Sequence, residues 1–345
     1  MKTEMRAAVD IGALLRLVRE EMRCALSPED GEPAEFYAAM QYAVGWADEQ
    51  LRPADIGGGK LFRPRLCLLS CAAAGGDSSI AVPAAAATEL LHSFTLVHDD
   101  IQDGSLQRHH RPAMWRLIGM PLALNAGDAI YATSHVVLAS LARRGVEHAL
   151  VLQALEQFDL CARRLCEGQH LDISYERRES VSYAEYQAMI ERKTGALMGF
   201  ACYLGALVGG ADQSVLEQYR RFGEHIGAGY QIHDDLASVW HEASSTGKRP
   251  MEDIYSRKKS YPAVRAFESA TGDAAARLRE IYAGTSVCDE DALWVRELMT
   301  ELGLREEGRA RVRQCMGAAL DALSASDASG PAEAQLREFA EALLS

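Results

Sequence analysis

The chain has 345 residues, and its 36 Lys and Arg against 49 Asp and Glu give a formal net charge of −13. Hydrophobic residues make up 48% and charged residues 25%, a composition that excludes extended disorder, collagen-like fibres and low-complexity sequence. The acidic balance, with no basic stripe along the chain, argues against nucleic acid as a partner.

Most of the chain repeats apolar residues at helical spacing and is rich in strong helix formers, whereas alternating strand patterns are scarce. The pattern predicts helices over segments 7–26, 34–51, 60–75, 80–103, 112–118, 125–143, 145–175, 183–209, 213–240, 260–271, 273–283, 289–302, 304–325 and 331–344. We therefore predict an all-α, single-domain helical bundle, in which an N-terminal helix and linker (1–33) precede the main domain (34–345).

Segments 66–75 and 197–208 are apolar around most of the helix, so they must lie inside the bundle, which can enclose a deep central cavity. The most apolar stretch, 198–211, is shorter than the ~18 residues of a membrane span, and no secretory leader is recognisable. The eight cysteines form neither C-x-x-C pairs nor a zinc-like cluster. We expect buried free thiols in a cytoplasmic protein.

Three carboxylates, Asp99, Asp100 and Asp103, end an otherwise apolar helical segment. Asp99 and Asp103 are one turn apart on one helix face, where like charges destabilise a helix unless a cation is bound. Carboxylate oxygens suit Mg²⁺, which typically takes one or two carboxylates together with substrate phosphates. The plainer interpretation is a solvated acidic helix end.

A second acidic pair, Asp234 and Asp235, follows another apolar helical segment, with Gln231 one turn before Asp235. If the two acidic helices face each other across a cavity, burying their charge without metal would be very costly. The two clusters together therefore predict a divalent-metal centre.

A glycine run at 57–59 leads into a helix that begins with Lys60 and Arg63. Helix N-termini attract anions, and two nearby cations strengthen that preference. Beside two aspartate clusters, this loop predicts a phosphate-binding element.

These motifs resemble those of the trans-type polyprenyl diphosphate synthases, a class I isoprenoid synthase family that includes farnesyl and geranylgeranyl diphosphate synthases. Asp99–Asp103 with Arg108 is similar to their first aspartate-rich motif, Gln231–Asp235 to the second, and Gly59–Pro64 to the N-terminal diphosphate-binding motif. Smaller matches follow in the same order: Asn125-x-Gly127-Asp128, Glu167-Gly168-Gln169-x-Leu171-Asp172, Lys193-Thr194-x-x-Leu197, Gly247-Lys248 and Asp253-x-x-x-x-Lys258-Lys259-Ser260-x-Pro262. The similarity spans about residues 57–262.

The resemblance implies a head-to-tail prenyltransferase of the all-α isoprenoid synthase fold, usually a homodimer, whose substrates are isopentenyl diphosphate and an allylic prenyl diphosphate. It implies three Mg²⁺ ions per site, with Mn²⁺ as the alternative, that bridge the aspartate motifs and the allylic diphosphate. The principal ligands would be Asp99, Asp103 and Asp234, with Asp100 and Asp235 as weaker candidates. The implied catalytic set is Asp99, Asp100, Asp103, Asp234, Asp235 and Lys193.

The resemblance also implies which residues bind substrate. Those for isopentenyl diphosphate are Lys60, Arg63, His92 and His109. Those for the allylic diphosphate are Arg108, Lys193, Thr194, Gln231, Lys248 and Lys258. The polar loop 241–252 would close over the phosphates and exclude water.

Two positions depart from the family pattern. Most members have Arg-Arg-Gly where this chain has Arg108-His109-His110, so His109 would bind isopentenyl diphosphate more weakly and in a pH-dependent way, with Arg111 as a substitute. The second motif has Ser238 in place of its third aspartate, which would weaken a third metal site.

Product length in the family depends on bulk ahead of the first motif. Phe94, followed by Thr95, lies five residues before Asp99, and nothing is inserted between Asp100 and Asp103, a pattern that resembles archaeal geranylgeranyl diphosphate synthases. We predict a C20 product, with C15 next, and the competing interpretation is that Phe94 is only a core residue.

Two other functions stay open from the sequence. A class I terpene cyclase ionises one prenyl diphosphate, so Lys60, Arg63 and His92 would have no second substrate to bind. A non-catalytic subunit of a heteromeric prenyl synthase is favoured only by His109 and Ser238, and the intact first motif argues against it.

Overall fold

The structure is a computed structural model that describes residues 8–57, 59–240, 250–326, 328 and 330–344. The predicted all-α fold is confirmed. The α-helices are α1 (Ile11–Ala25), α2 (Ala34–Ala43), α3 (Phe62–Ala73), α4 (Val82–Gln102), α5 (Met114–Ile118), α6 (Met120–Ala139), α7 (His148–Glu176), α8 (Tyr183–Ile190), α9 (Ala196–Val208), α10 (Gln213–Trp240), α11 (Glu252–Tyr255), α12 (Tyr261–Ser269), α13 (Gly272–Ala283), α14 (Asp289–Glu301), α15 (Leu304–Ser324) and α16 (Pro331–Leu344). A 3₁₀ turn spans Ser140–Arg144, a π-helical turn spans Glu191–Gly195, and strands β1 (Gln107–Arg108) and β2 (Arg111–Pro112) form a hairpin.

The chain divides into two compact units. Unit 1 contains Met1–Arg163, Leu197–Gly223 and Asp321–Phe339, and unit 2 contains Arg164–Ala196, Glu224–Leu320 and Ala340–Ser345. The divisions fall inside continuous helices, for example between Arg163 and Arg164 of α7.

Helix α4 is the centre of unit 1. Its first half is buried on every side, including the run Ala84–Ala87, and it packs against α1, α3 and α6. Helix α9 crosses α3 so closely that a Cβ at Gly205 would lie 2.0 Å from the carbonyl oxygen of Cys67. Glycine is therefore required at this crossing. The predicted interior location of segments 66–75 and 197–208 agrees with this packing.

Unit 2 has its own hydrophobic core, which includes residues from α11, α13, α14 and the start of α15. Fully or nearly fully buried members are Ile254, Leu278, Val295, Met299 and Leu304. This core supports the segment that carries Lys258, between α11 and α12.

The helix predicted over 34–51 is shorter in the structure, where α2 ends at Ala43. Gly45 follows with a φ of 80°, a conformation that favours glycine, and Ala47 then forms an isolated antiparallel bridge with Pro53. The short helix α11 was not predicted from the sequence.

The hairpin between β1 and β2 was also absent from the sequence prediction. Its turn consists of His109 and His110, whose φ values of 51° and 62° match the positive φ values of a type I′ turn. Such turns normally contain Asn-Gly, and strands of two residues are too short to show alternation. The turn therefore has no sequence signal.

Within the part of the chain that the structure describes, no helix combines the length and apolarity needed to cross a bilayer. All eight cysteines are free thiols. Burial was predicted for them as a group, but Cys24, Cys166 and Cys288 are exposed. These three lie on the polar faces of helices or at a helix N-cap rather than in apolar runs.

Candidate active site

The first aspartate cluster lies on the last turn of α4 in unit 1. Asp99 is partly buried and Asp103 is exposed, and the Asp103 N–H donates to the Asp99 carbonyl oxygen at 2.8 Å. The helix thus continues up to Asp103, which keeps the two residues one turn apart. Two carboxylates on one helix turn with access to solvent offer hard oxygen ligands to a cation.

The Asp100 carboxylate is buried and is bound by Arg108. Only 4% of Asp100 is exposed, and Arg108 Nε and Nη2 donate to its Oδ1 at 3.0 Å and 2.6 Å. Burial raises the pKa of Asp100 and the Arg108 guanidinium opposes that rise. Asp100 therefore orients the guanidinium of Arg108 in this structure.

A second set of predicted residues surrounds His92, two helical turns before Asp99. Burial lowers the pKa of His92 well below its usual value, and the charges of Arg63, Arg108 and His109 lower it further. Each of these three side chains is therefore within electrostatic reach of His92, and His92 is a neutral imidazole at neutral pH. Lys60 is exposed, with its ammonium 5.5 Å from the ring centre of Phe62.

Glu89 is a buried carboxylate beside this group that the sequence interpretation missed. It is 7% exposed, and its Oε2 has no hydrogen-bond partner among the described residues. Burial raises the pKa of Glu89, whereas Arg63 and then Arg19 lower it. A Cβ at Gly59 would lie 3.6 Å from its Oε1. The available signal was an acidic residue in an apolar helix, three residues before His92.

Arg111, the expected substitute for a second arginine at position 109, makes contacts with α2 and the loop that follows it. Its guanidinium lies over the Tyr42 ring at 3.9 Å, and its Nη2 donates to the Ala47 carbonyl at 2.6 Å. Tyr42 in turn donates its hydroxyl to the Pro112 carbonyl at 2.6 Å. Arg111 thus ties the hairpin to α2 and the loop after it.

In unit 2, Lys193 lies in the π-helical turn, within the segment that the sequence predicted as one regular helix. A Cβ at Gly168 of α7 would lie 2.6 Å from the Lys193 backbone nitrogen, so the wider turn and α7 meet backbone to backbone. Lys193 Nζ is 2.6 Å from Asp172 Oδ2. Burial raises the pKa of Asp172, but Lys258 and Lys193 together bring it below its usual value. The structure thus brings these two predicted lysines to one carboxylate.

The second acidic pair also splits into two different environments. Asp235 is 2% exposed and accepts hydrogen bonds at 2.7–2.8 Å from the Tyr186 hydroxyl, the Gln231 amide and the Tyr261 backbone N–H. Burial, followed by the charge of Asp253, raises its pKa. Asp234, on the adjacent position of α10, is only partly buried.

Thr194 and Gln231 are linked to Asp235 by hydrogen bonds. The Thr194 hydroxyl donates to Gln231 Oε1 at 2.8 Å, and Gln231 Nε2 donates to Asp235 Oδ1 at 2.8 Å. One hydrogen-bonded chain therefore runs from the π-helical turn to α10.

Ser238, which stands where a third aspartate was expected, is 5% exposed. Its hydroxyl accepts from the Asp253 N–H at 3.3 Å, and its carbonyl accepts from the Met251 N–H at 3.0 Å. The serine thus holds the chain that leads into α11. Lys248 and residues 241–249 of the predicted lid lie outside the described residues.

The two residues predicted to control product length lie on α4. Phe94 is partly buried, and its ring centre is 4.6 Å from that of His98 and 5.1 Å from that of Tyr131. The Thr95 hydroxyl donates to the His92 carbonyl of the same helix at 2.8 Å.

Comparisons with known proteins agree with the motifs. A family model for polyprenyl synthetase matches residues 47–299. The (2E,6E)-farnesyl diphosphate synthase of Mycobacterium tuberculosis H37Rv is 36% identical over 304 residues, covering 87% of this chain and 83% of the relative. Geranylgeranyl diphosphate synthase from the same organism is 35% identical over 277 residues, covering 80% and 75%.

Among solved structures, the polyprenyl synthetase of Streptomyces coelicolor A3(2) superposes with a TM-score of 0.89 at 34% identity, covering 97% of this chain and 100% of that one. The family model covers well over half of the chain, and the relatives span most of its length. The chain therefore belongs to the polyprenyl synthetase family and is a prenyltransferase.

Proposed function

We propose that this prenyltransferase condenses isopentenyl diphosphate with an allylic diphosphate head to tail and releases geranylgeranyl diphosphate, with farnesyl diphosphate as the next candidate. The observation that carries the proposal is the pair of basic side chains, Arg63 and His109, near His92, which lies two turns before Asp99 on α4, while Arg108 is bound to Asp100. A second anionic substrate needs its own cationic site, whereas a cyclase, with one diphosphate, does not.

A divalent cation fits the donor set. No group of three or more acidic, histidine or cysteine side chains in the described residues is arranged as a metal cage. Mg²⁺ typically uses one or two carboxylates and completes its octahedron with water and substrate phosphate, so a single helix turn with two aspartates suits it. We assign Asp99, Asp103 and Asp234 as ligands, with three Mg²⁺ ions and Mn²⁺ as the alternative.

Asp100 and Asp235 have other roles in this proposal. Both are nearly fully buried and already accept two or more hydrogen bonds, Asp100 from Arg108 and Asp235 from Tyr186, Gln231 and Tyr261. Their oxygens are therefore poor candidates for direct metal ligands, and we assign them to orient Arg108 and Gln231.

Two groups of residues bind the diphosphates in the proposal. Lys60, Arg63, His92 and His109 bind isopentenyl diphosphate, with His92 as a neutral hydrogen-bonding group. The residues for the allylic diphosphate are Arg108, Lys193, Thr194, Gln231 and Lys258, together with Lys248.

When bound, Mg²⁺ would supply positive charge that stabilises the departing pyrophosphate. Arg108, Lys193 and Lys258 hold the diphosphate during that charge build-up. The isopentenyl double bond then attacks the allylic carbon, and the departing pyrophosphate accepts the proton that is lost. No side chain needs to act as a general base.

Sequence identity does not decide product length, because the relatives named for farnesyl and geranylgeranyl diphosphate are almost equally similar to this chain. The proposal of a C20 product rests on Phe94, whose ring contacts the rings of His98 and Tyr131. A ring five residues before Asp99 limits how far the product tail can extend.

A homodimer is also part of the proposal. Large apolar side chains are exposed on α6 and α7: Leu122 (59%), Val136 (65%), Leu152 (68%) and Leu160 (36%). Such side chains on neighbouring helices are typical of a protein interface, and a second copy of this chain is the proposed partner. Sedimentation of the purified chain tests this assignment, and Val136→Glu should favour monomers.

The test of function uses purified protein, Mg²⁺, isopentenyl diphosphate and dimethylallyl, geranyl or farnesyl diphosphate, with chain-length analysis of the products. Asp99→Asn should lose at least about a hundredfold in kcat/KM, because donors and cations aimed at a developing charge contribute factors of this size. Asp100→Asn, its matched control, should keep the Mg²⁺ requirement and raise the KM for the allylic substrate.

Each alternative gives a different result in this assay. A hydrocarbon formed from one prenyl diphosphate would indicate a cyclase, and turnover only in the presence of another protein would indicate a regulatory subunit. Full activity of Asp99→Asn would contradict the metal assignment.

A further inference from the structure

Lys259 is a buried lysine in unit 2 to which the proposed function gives no role. Only 5% of the residue is exposed, and it lies between α11 and α12, directly after Lys258. Its ammonium is 5.0 Å from the ring centre of Phe267 on α12 and 4.9 Å from that of Tyr282 on α13. Aromatic faces attract a cation, most strongly where water is excluded. The two rings therefore hold the Lys259 ammonium at the hydrophobic core of unit 2.

The position of this ammonium has a cost. Removing a charge from water is unfavourable, and burial, followed by the charge of Arg257, lowers the pKa of Lys259. The Tyr282 hydroxyl has no hydrogen-bond partner among the described residues, so this tyrosine offers the face of its ring and not its oxygen. A position that only had to be filled with apolar atoms would not favour a lysine.

The backbone ahead of Lys259 is fixed by the turn that ends α11. The Arg257 N–H donates to the Ile254 carbonyl at 3.0 Å. The Lys258 N–H donates to the Asp253 carbonyl at 2.9 Å, which completes the hydrogen bonds of a Schellman motif. Arg257 has a φ of 57° where glycine is usual, and its guanidinium donates to a backbone carbonyl at the end of α13. Arg257 and Lys259, on either side of Lys258, therefore both contact α13.

Lys258 itself interacts with other elements. Its charge lowers the pKa of Asp172 on α7 and opposes the raised pKa of Asp235 on α10. The proposed function gives Lys258 to the allylic diphosphate, together with Lys193, which is bonded to Asp172. The residues on both sides of Lys258 thus attach the segment to the core, while Lys258 extends its charge toward the candidate site.

We propose that Lys259 is a positioning residue for Lys258: its ammonium, held between the rings of Phe267 and Tyr282, fixes the segment that presents Lys258 to the allylic diphosphate. The inference rests on the proposed function and deepens it. Without the ammonium between the rings, the segment loses one of its attachments to the core. The Lys258 ammonium then samples a wider range of positions, and the allylic diphosphate binds less tightly.

The experiment is steady-state kinetics of the purified full chain with Mg²⁺, in which geranyl diphosphate and isopentenyl diphosphate are varied in turn. Lys259→Ala should raise the KM for geranyl diphosphate by about tenfold, because a displacement of about 1 Å by a remote change can cost up to about a hundredfold. The KM for isopentenyl diphosphate should stay unchanged. A general loss of packing would change both values.

The ring of Tyr282 provides a matched pair of variants. Tyr282→Leu removes one of the two aromatic faces and should raise the KM for geranyl diphosphate in the same direction as Lys259→Ala. Tyr282→Phe keeps the ring and removes only the hydroxyl, so it should match wild type. If Lys259→Ala does not fold, this pair makes the same comparison with the lysine in place.

A double-variant measurement shows whether the effect passes through Lys258. Lys258→Met should itself raise the KM for geranyl diphosphate. Adding Lys259→Ala to Lys258→Met should change that KM no further, because the group that Lys259 positions is already absent. Two residues that act independently would instead multiply their effects.

An unchanged KM for geranyl diphosphate in Lys259→Ala and Tyr282→Leu would overturn the role of Lys259 while leaving prenyl transfer intact. Equal rises in both KM values would show that Lys259 is only structural, which also overturns the inference. An unchanged KM in Lys258→Met would remove Lys258 from the allylic site and the inference with it. A wild-type chain that forms no elongated product would overturn the proposed function itself.

Discussion

At the scale of single residues, adjacent aspartates have different roles. Neighbouring positions on a helix point about 100° apart, so one carboxylate of each pair faces inward while the other is more accessible. Asp100 and Asp235 are buried and hydrogen-bonded, and Asp99 and Asp234 are only partly buried. The sequence could identify both pairs but not which member of each is buried.

His92 supports a prediction about pH and stability. Its pKa in the folded state is depressed, so between that value and the unfolded value of about 6.5 the unfolded chain binds more protons. The neutral His92 side chain therefore makes its full contribution to the free energy of unfolding above pH 6.5. This contribution is lost as the pH falls toward the folded pKa, by about 1.4 kcal/mol per pH unit. Chemical denaturation should therefore show that, between pH 7.5 and 5.5, the free energy of unfolding falls less in His92→Gln than in wild type.

The control for this measurement is His148→Gln, because His148 is exposed at the start of α7. We expect this variant to follow the wild-type curve. Parallel curves for His92→Gln and wild type would show that His92 is not held neutral by its surroundings.

At the scale of elements, the β1–β2 hairpin carries backbone strain at its turn. His110 has a φ of 62°, where a non-glycine residue costs roughly 1–2 kcal/mol. His110→Gly should raise the free energy of unfolding by about 1 kcal/mol. His110→Ala also removes the imidazole but keeps the Cβ, so it should not stabilise. Equal effects of the two changes in thermal unfolding would refute the backbone explanation.

The contact between α7 and the π-helical turn supports a second prediction at this scale. Gly168→Ala would push its new Cβ against the Lys193 backbone, because a Cβ at this position would lie 2.6 Å from the Lys193 nitrogen. Such overpacking costs about 1–3 kcal/mol and should lower kcat/KM by separating Lys193 from Asp172. Urea unfolding and steady-state kinetics measure the two effects.

Gly317 of α15 is the matched control for Gly168. A Cβ there would meet nothing within 4 Å, so Gly317→Ala should stabilise the helix by roughly 0.5–1 kcal/mol and leave activity unchanged. If both substitutions shifted stability in the same direction, the close approach at Gly168 would not be the cause.

At the scale of the whole molecule, ligand binding should be visible as stability. Mg²⁺ with inorganic pyrophosphate should raise the free energy of unfolding more than the sum of either alone, because two carboxylates on a helix turn need phosphate oxygens to complete the coordination. At a hundredfold excess over the dissociation constant the gain is about 2.7 kcal/mol. Differential scanning fluorimetry of wild type and Asp99→Asn tests this, with EDTA as the control.

The variant Asp99→Asn should lose most of that joint stabilisation. An equal response in wild type and Asp99→Asn would mean that the metal binds elsewhere. Stabilisation by pyrophosphate that persists in EDTA would point to the cationic side chains near His92 as the dominant site.

The sequence by itself determined the fold class, most helix positions and the family motifs. It could do so because helical periodicity and ordered motif spacing are written along the chain, and because glycine, proline and carboxylates have strong local preferences. It failed where a short element had no pattern, as in the His109–His110 hairpin and at the end of α2.

Only the tertiary structure decided which side chains are already engaged. The pairing of Asp100 with Arg108, the stacking of Arg111 on Tyr42, the burial of Glu89 near Arg63 and the contact of Phe94 with Tyr131 join residues from different elements. Contacts of this kind depend on how helices are rotated and packed against each other, and that information is not contained in local residue spacing.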